Sequence, residues 1–153
     1  MAYQKLQVER ALKVIPSDTI NIPNVAGPTA SGTTDGTTAN KLVDSSASFT
    51  SNLVGYIVYN TTDSTVATVT AVDDANTLTL SADIMASAEA YVIYEDNNTG
   101  CVLYSGAGGD IKVLTAGNDE VTFTGTAAGA FIPVQVKRVF ATPTPPTGIV
   151  ALW

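Results

Sequence analysis

Cys101 and the adjacent acids Asp119 and Glu120 come closest to a catalytic vocabulary in this chain. A cysteine attacks as its thiolate, and a neighbouring histidine is the usual means of making one. The chain has no histidine. That removes the commonest general base and the commonest metal ligand. Cys101 is expected to be a small buried hydrophobe, and one cysteine makes neither an intrachain disulfide nor a cysteine zinc site. Asp119 and Glu120 resemble a hydrolytic acid pair in type, but neighbours on a strand face opposite ways and do not flank one bond. Asp63, Asp73 and Asp74 offer hard oxygen ligands without the alternating acid spacing of a calcium loop, so solvated turn carboxylates are expected. Gly106-Ala107-Gly108-Gly109 lacks a following Gly-Lys-Ser/Thr and a helix, so it reads as a hairpin turn and not a phosphate cradle. The expectation is no catalysis, no cofactor and no metal site.

Charge is distributed unevenly along the chain. Residues 28–95 hold eight acids and one base, Lys41, for a net charge of −7. The flanks, 1–27 and 96–153, hold six acids and six bases. A neutral module interrupted by an acidic one suggests one domain inserted into another, with the neutral part able to sit against an assembly. A pI near 4.2 argues against nucleic acid, because phosphate contacts need clustered lysine and arginine. The adjacent bases Lys137 and Arg138 point to opposite faces if they lie in a strand. No apolar run reaches the roughly 18 residues of a membrane span, and the N-terminus is polar, so neither a membrane partner nor a signal peptide is expected.

The elements are short and β-rich. Thr, Ala, Val, Gly and Ser dominate, and 14% of residues are charged. Residues 3–12 are compatible with two or three helical turns. Leu12 with Val14, then Ile20 with Ile22, alternate as two short strands or an extended arm. Gly27–Asn40 reads as a Gly/Ser/Thr linker. In the acidic stretch, 41–44, 55–60, 65–72, 77–80 and 90–94 read as strands, and five in so short a span fit a small closed or half-closed barrel. Residues 96–100 return to the flank. There, 101–104, 111–114, 120–123, 131–139 and 148–152 read as strands, with 116–119 short enough to close a hairpin.

The expected fold is all-β: a small sandwich or barrel core from 1–27 plus 96–153, with an inserted five-stranded barrel-like module at 28–95. Modules of this size bury only about 60% of their unfolded surface. Without disulfides or metal they usually gain stability by oligomerising or docking, and a homotrimer is the favoured assembly. The final stretch Ile149–Trp153 is apolar where most ends are polar, so it is expected in a sheet or a subunit contact. Val134, Val136, Phe140, Ile149, Leu152 and Trp153 are the candidate packing and assembly residues.

Four stretches of the flanks resemble small virion proteins of tailed bacteriophages. They are Ile15-Pro16-Ser17-Asp18-Thr19-Ile20-Asn21-Ile22-Pro23, Gly109 through Phe123, Phe131 through Thr142, and Ile149-Val150-Ala151-Leu152-Trp153. The insert, with Lys41-Leu42-Val43-Asp44-Ser45-Ser46 and Asn60-Thr61-Thr62-Asp63, resembles a separate phage β-module. The resemblance implies a non-enzymatic structural protein, made in the host cytoplasm and carried on the particle surface. It further implies a head decoration or cement role, with the major capsid protein or another virion protein as partner. Two alternatives stand beside it: a neck, tail or baseplate component, and a host- or carbohydrate-binding module using Tyr56, Tyr59, Tyr91 and Tyr94.

Overall fold

The computed structural model describes residues 8–23 and 26–153. The chain is all-β and forms two antiparallel six-stranded sheets, one of which curls into a half-barrel. Two compact units carry them. One joins the residues up to Ile22 with Asn98–Trp153, and the other is Pro23–Asn97. Counted on these bounds, the discontinuous unit holds five acids and six bases, and the continuous unit nine acids and one base.

The discontinuous unit contains β1 (Ala11–Lys13), β8 (Cys101–Ser105), β9 (Gly109–Thr115), β10 (Glu120–Thr126), β11 (Phe131–Val139) and β12 (Ile149–Leu152). Their order in the sheet is β1-β12-β8-β11-β9-β10. Period-two alternation builds the core: Ile111 and Val113 face in while Asp110 and Lys112 face out. They join Leu103, Ile132, Val136, Val139, Ile149 and Ala151 in one buried cluster. The sheet turns a corner at Val136, which pairs with Cys101 on β8 and with Thr115 on β9. The first part of β11 therefore pairs with β8 and the last part with β9, with register shifts on either side of Val136. Such irregularities raise the local twist and let one strand serve two directions.

The continuous unit contains β2 (Ala30–Thr33), β3 (Lys41–Val43), β4 (Ile57–Asn60), β5 (Thr65–Asp74), β6 (Thr77–Leu80) and β7 (Ala90–Tyr94). Their order is β2-β7-β4-β5-β6-β3. Its own cluster includes Leu42, Phe49, Leu53, Val58, Ala67, Val69, Leu78, Leu80, Tyr91 and Ile93. The long strand β5 pairs with β4 from Thr65 to Thr68 and with β6 from Val69 to Asp74, the second ladder shifting register at Val69/Ala71 and at Val72/Asp74.

Three local expectations are corrected. The supposed linker 27–40 contains β2, so the unit has six strands and not five; a strand of Ala-Ser-Gly-Thr has almost no apolar signal to read. The helix-compatible stretch ends in β1, where Leu12 pairs opposite Ala151, and residues 8–10 are not helical; its earlier part, 3–7, lies outside the described residues. Residues 106–108 are a corner connection and not a hairpin, because β11 lies between β8 and β9.

Candidate functional site

The segment Ile15–Ile22 bends at Asp18–Thr19, where Ser17 Oγ accepts the Thr19 and Ile20 amides, and is fastened to β11 and to the loop after it. Ile22 N–H donates to the Lys137 carbonyl at 2.7 Å, and Ser17 N–H to the Val139 carbonyl at 3.0 Å. Arg138 donates through Nε and Nη2 to Asn21 Oδ1 and through Nη1 to the Asp18 carbonyl. Asp18 accepts the hydroxyl and amide of Thr142 at 2.8 and 2.9 Å. Those two bonds hold its carboxyl below the ordinary aspartate range. Lys137 turns away and donates to Asn118 Oδ1. The one pair of adjacent bases is thus spent on local structure.

The six candidate packing residues divide into two groups. Val136, Phe140 and Ile149 are buried within the unit, Val136 and Ile149 in its core cluster, so these three side chains present little surface to a partner. Lys112 Nζ lies 4.4 Å from the Phe140 ring centroid and the Arg138 guanidinium carbon 5.8 Å from it. Val134, Leu152 and Trp153 are half-buried. Val134 and Trp153 pack against the core cluster, and the Trp153 indole N–H donates to Asn98 Oδ1 at 3.2 Å. Asn98 is itself buried, accepting the Gly100 amide at 2.9 Å and donating to the Val136 carbonyl.

The large apolar residues that do face outward from this unit are different ones. Phe131 is 56% exposed and Val121 38%. Phe131 opens β11 and meets the Tyr104 ring edge-on at 5.5 Å. Val121 lies on β10, the outermost strand of its sheet, whose far edge has no partner strand among the described residues. Sequence reasoning passed over both, because each sits in a strand whose alternation looks like core. Val8, also exposed, lies just before β1 at the opposite edge.

The residues with chemical potential are occupied singly. Cys101 is 1% exposed, its thiol donates to the Val136 carbonyl at 3.2 Å, and burial pushes its pKa up to about 12. Glu120 pairs with Lys112 at 2.9 Å, while Asp119 accepts the Thr115 hydroxyl in the hairpin turn. Asp73 holds Lys41 at 2.5 Å and Asp74 accepts the Asn76 amide at 2.7 Å. Asp63 is held above the ordinary range by a hydrogen bond to Glu89 and by its charge. Glu89 is lowered, chiefly by the Ala86 amide at 2.5 Å. Among the described residues no group of three or more acids, histidines or cysteines is placed to hold a metal ion. Gly106 and Ala107 donate their amides to the Gly148 and Thr147 carbonyls, so those two amides tie the loop to the start of β12. No described helix is long and apolar enough to cross a membrane.

The tyrosine face does not form. Tyr59, Tyr91 and Tyr94 are buried, with Tyr59 and Tyr94 edge-to-face at 5.6 Å, and only Tyr56 of the four is partly accessible. An aromatic platform for a sugar needs an open ring face, so these four residues do not supply one.

Comparison with protein-family models, with curated proteins and with solved structures finds no match in any of the three.

Proposed function

We propose that this chain is a non-enzymatic structural protein of a tailed-phage virion, docking on the head shell as a decoration protein and self-associating, with a trimer favoured. One observation carries the reading. The four flank stretches behind the resemblance, 15–23, 109–123, 131–142 and 149–153, fall in the discontinuous unit apart from Pro23 at its boundary, and three of the four build its strands. That unit is close to neutral, while the continuous unit has nine acids against one base. A neutral surface docks on a large assembly without strong repulsion, and an acidic one remains hydrated. In this reading Phe131 and Val121 anchor the contact to the major capsid protein or to a second copy. Multivalent attachment to the assembled shell then stabilises that state by mass action.

The test is a density map of particles carrying the protein, together with sedimentation of shells mixed with Phe131→Ser. Density for residues 23–97 facing solvent, and weaker co-sedimentation of the variant, are expected. Residues 23–97 lying against the shell, or the protein located only at the neck or tail, would overturn the decoration role.

A further inference from the structure

Among the described residues, the half-open seam of the continuous unit has a strand edge with no partner, a cavity beside it, and a buried acid with no cation. β2 is the last strand of its sheet. Thr34 N–H donates to the Glu89 carbonyl, and Thr61 N–H to the Ala90 carbonyl on the other side of β7. Those two bonds fix the phase of the ladder. Residues 89, 91 and 93 address β2, so Ala30 and Gly32 bond to β7, and the amides and carbonyls of Ser31 and Thr33 point away from the sheet. Both residues are exposed. Past the end of β2 the seam is closed: Asp35 N–H donates to the Val43 carbonyl, and Ser45 N–H to the Asp35 carboxylate, both at 3.0 Å.

Alongside β2 the seam stays open as a cavity of about 540 Å³, walled by β2 on one side and the 46–53 loop on the other. Its inner wall holds Tyr91, Phe49 and Asp44. Asp44 is 5% exposed. It accepts the Tyr91 hydroxyl on Oδ2 at 2.7 Å and the Ser46 amide on Oδ1 at 2.9 Å, which leaves acceptor capacity on both oxygens. A buried carboxylate is costly without a counter-charge. The unit cannot provide one, since its single base, Lys41, is held by Asp73 on the far edge. Gly32 lies directly over this acid: a Cβ there would fall 2.7 Å from the Tyr91 hydroxyl. The space inward of Gly32 is thus taken by the Tyr91 hydroxyl and the Asp44 carboxylate, and the cavity beside β2 opens onto Asp44.

The geometry points to a strand-addition site: β2 accepts an extended peptide of a basic partner, antiparallel, with a lysine or arginine opposite Gly32 reaching Asp44. The residues flanking that base would exchange backbone bonds with Ser31 and Thr33, as sheet edges do when they capture a strand. The net negative charge of the unit draws a cationic segment in.

The probe is acetyl-Thr-Val-Thr-Lys-Thr-Val-Thr-amide, titrated into the intact ¹⁵N-labelled chain at low salt. Saturable shifts of the Ser31 and Thr33 amides are expected. Replacing the lysine by norleucine, N-methylating the two threonines that flank it, or substituting Asp44→Asn should each weaken binding at least about tenfold, the scale of losing a charge-assisted bond or a pair of ladder bonds. Thr33→Pro removes an outward amide that β7 does not use, and should abolish binding while leaving the melt unchanged. It keeps the test open if Asp44→Asn fails to fold. The proposal is overturned by absence of saturable shifts at millimolar peptide, by equal binding of the N-methylated peptide, or by equal affinity for N-acetyl-lysine amide.

Discussion

At the scale of single residues, burial decides what the polar groups do. Cys101 has a folded pKa of about 12 against 9.0 unperturbed, because its thiol is desolvated. Tyr91 and Tyr94 are raised too, both chiefly by burial, with Asp44 adding to the effect at Tyr91. All three are neutral acids whose folded pKa lies above the unfolded one. Their contribution is complete below the unfolded pKa and is lost as pH rises towards the folded one. Stability should therefore fall from about pH 9 upward, Cys101 contributing about 1.4 kcal/mol per pH unit until its own folded pKa is reached. Urea midpoints between pH 8 and 11 measure this, and Cys101→Ala should flatten the slope. Trp153, the single tryptophan, reports on Asn98, which holds its indole N–H. Asn98→Ala leaves that donor and the Gly100 amide short of an acceptor, a loss of about 1–3 kcal/mol. A red-shifted emission in the folded variant and a lower urea midpoint are the expected readouts.

At the scale of elements, β11 and β12 carry the discontinuous unit. Phe140 follows β11 directly and is buried, so Phe140→Ala should cost about 3–5 kcal/mol; chemical denaturation of the full chain measures it. β12 lies between β1 and β8. Removing residues 149–153 therefore takes the strand that pairs with β1 and one partner of β8, and amide exchange should show this unit unprotected while β4–β7 stay protected. Protection surviving in β8 and β9 would contradict this placement. These elements also show what the sequence makes legible. Alternation in Ile111-Lys112-Val113 and Thr77-Leu78-Thr79-Leu80 places strands to within a residue or two, since a buried face demands a period of two. β2 escapes because its fit depends on Gly32 having no side chain, and glycine otherwise reads as a turn. The corner at Val136 escapes because pairing with two strands is a property of register, which no local pattern encodes. Which large apolar residues face outward was half legible for a related reason. A strand pattern says that Val136 and Phe131 differ in face, but the core needs one face and only the assembled sheet says which.

At the scale of the whole molecule, each unit has its own buried cluster, and the two clusters share no residue. Joining Ile22 directly to Asn98 should accordingly leave a folded discontinuous unit, seen as cooperative unfolding with Trp153 emission like that of the full chain. The join is short because both ends already attach to neighbouring residues of β11: Ile22 to Lys137 and Asn98 to Val136. A molten, non-cooperative product would mean that the acidic unit is required for the other to fold. The same arrangement sets a timetable for synthesis. Among the described residues, 11–13 pair with 150–152 alone, so β1 leaves the ribosome long before its partner strand does. At about 5–20 residues per second that wait lasts roughly 7–30 seconds. Every strand of the acidic unit emerges within that interval, so it can close on the ribosome while its host is still half made. A newborn chain would thus pass through a stage with one finished, strongly negative lobe and an unpaired β1, and the charge on that lobe would keep such chains apart until β12 arrives.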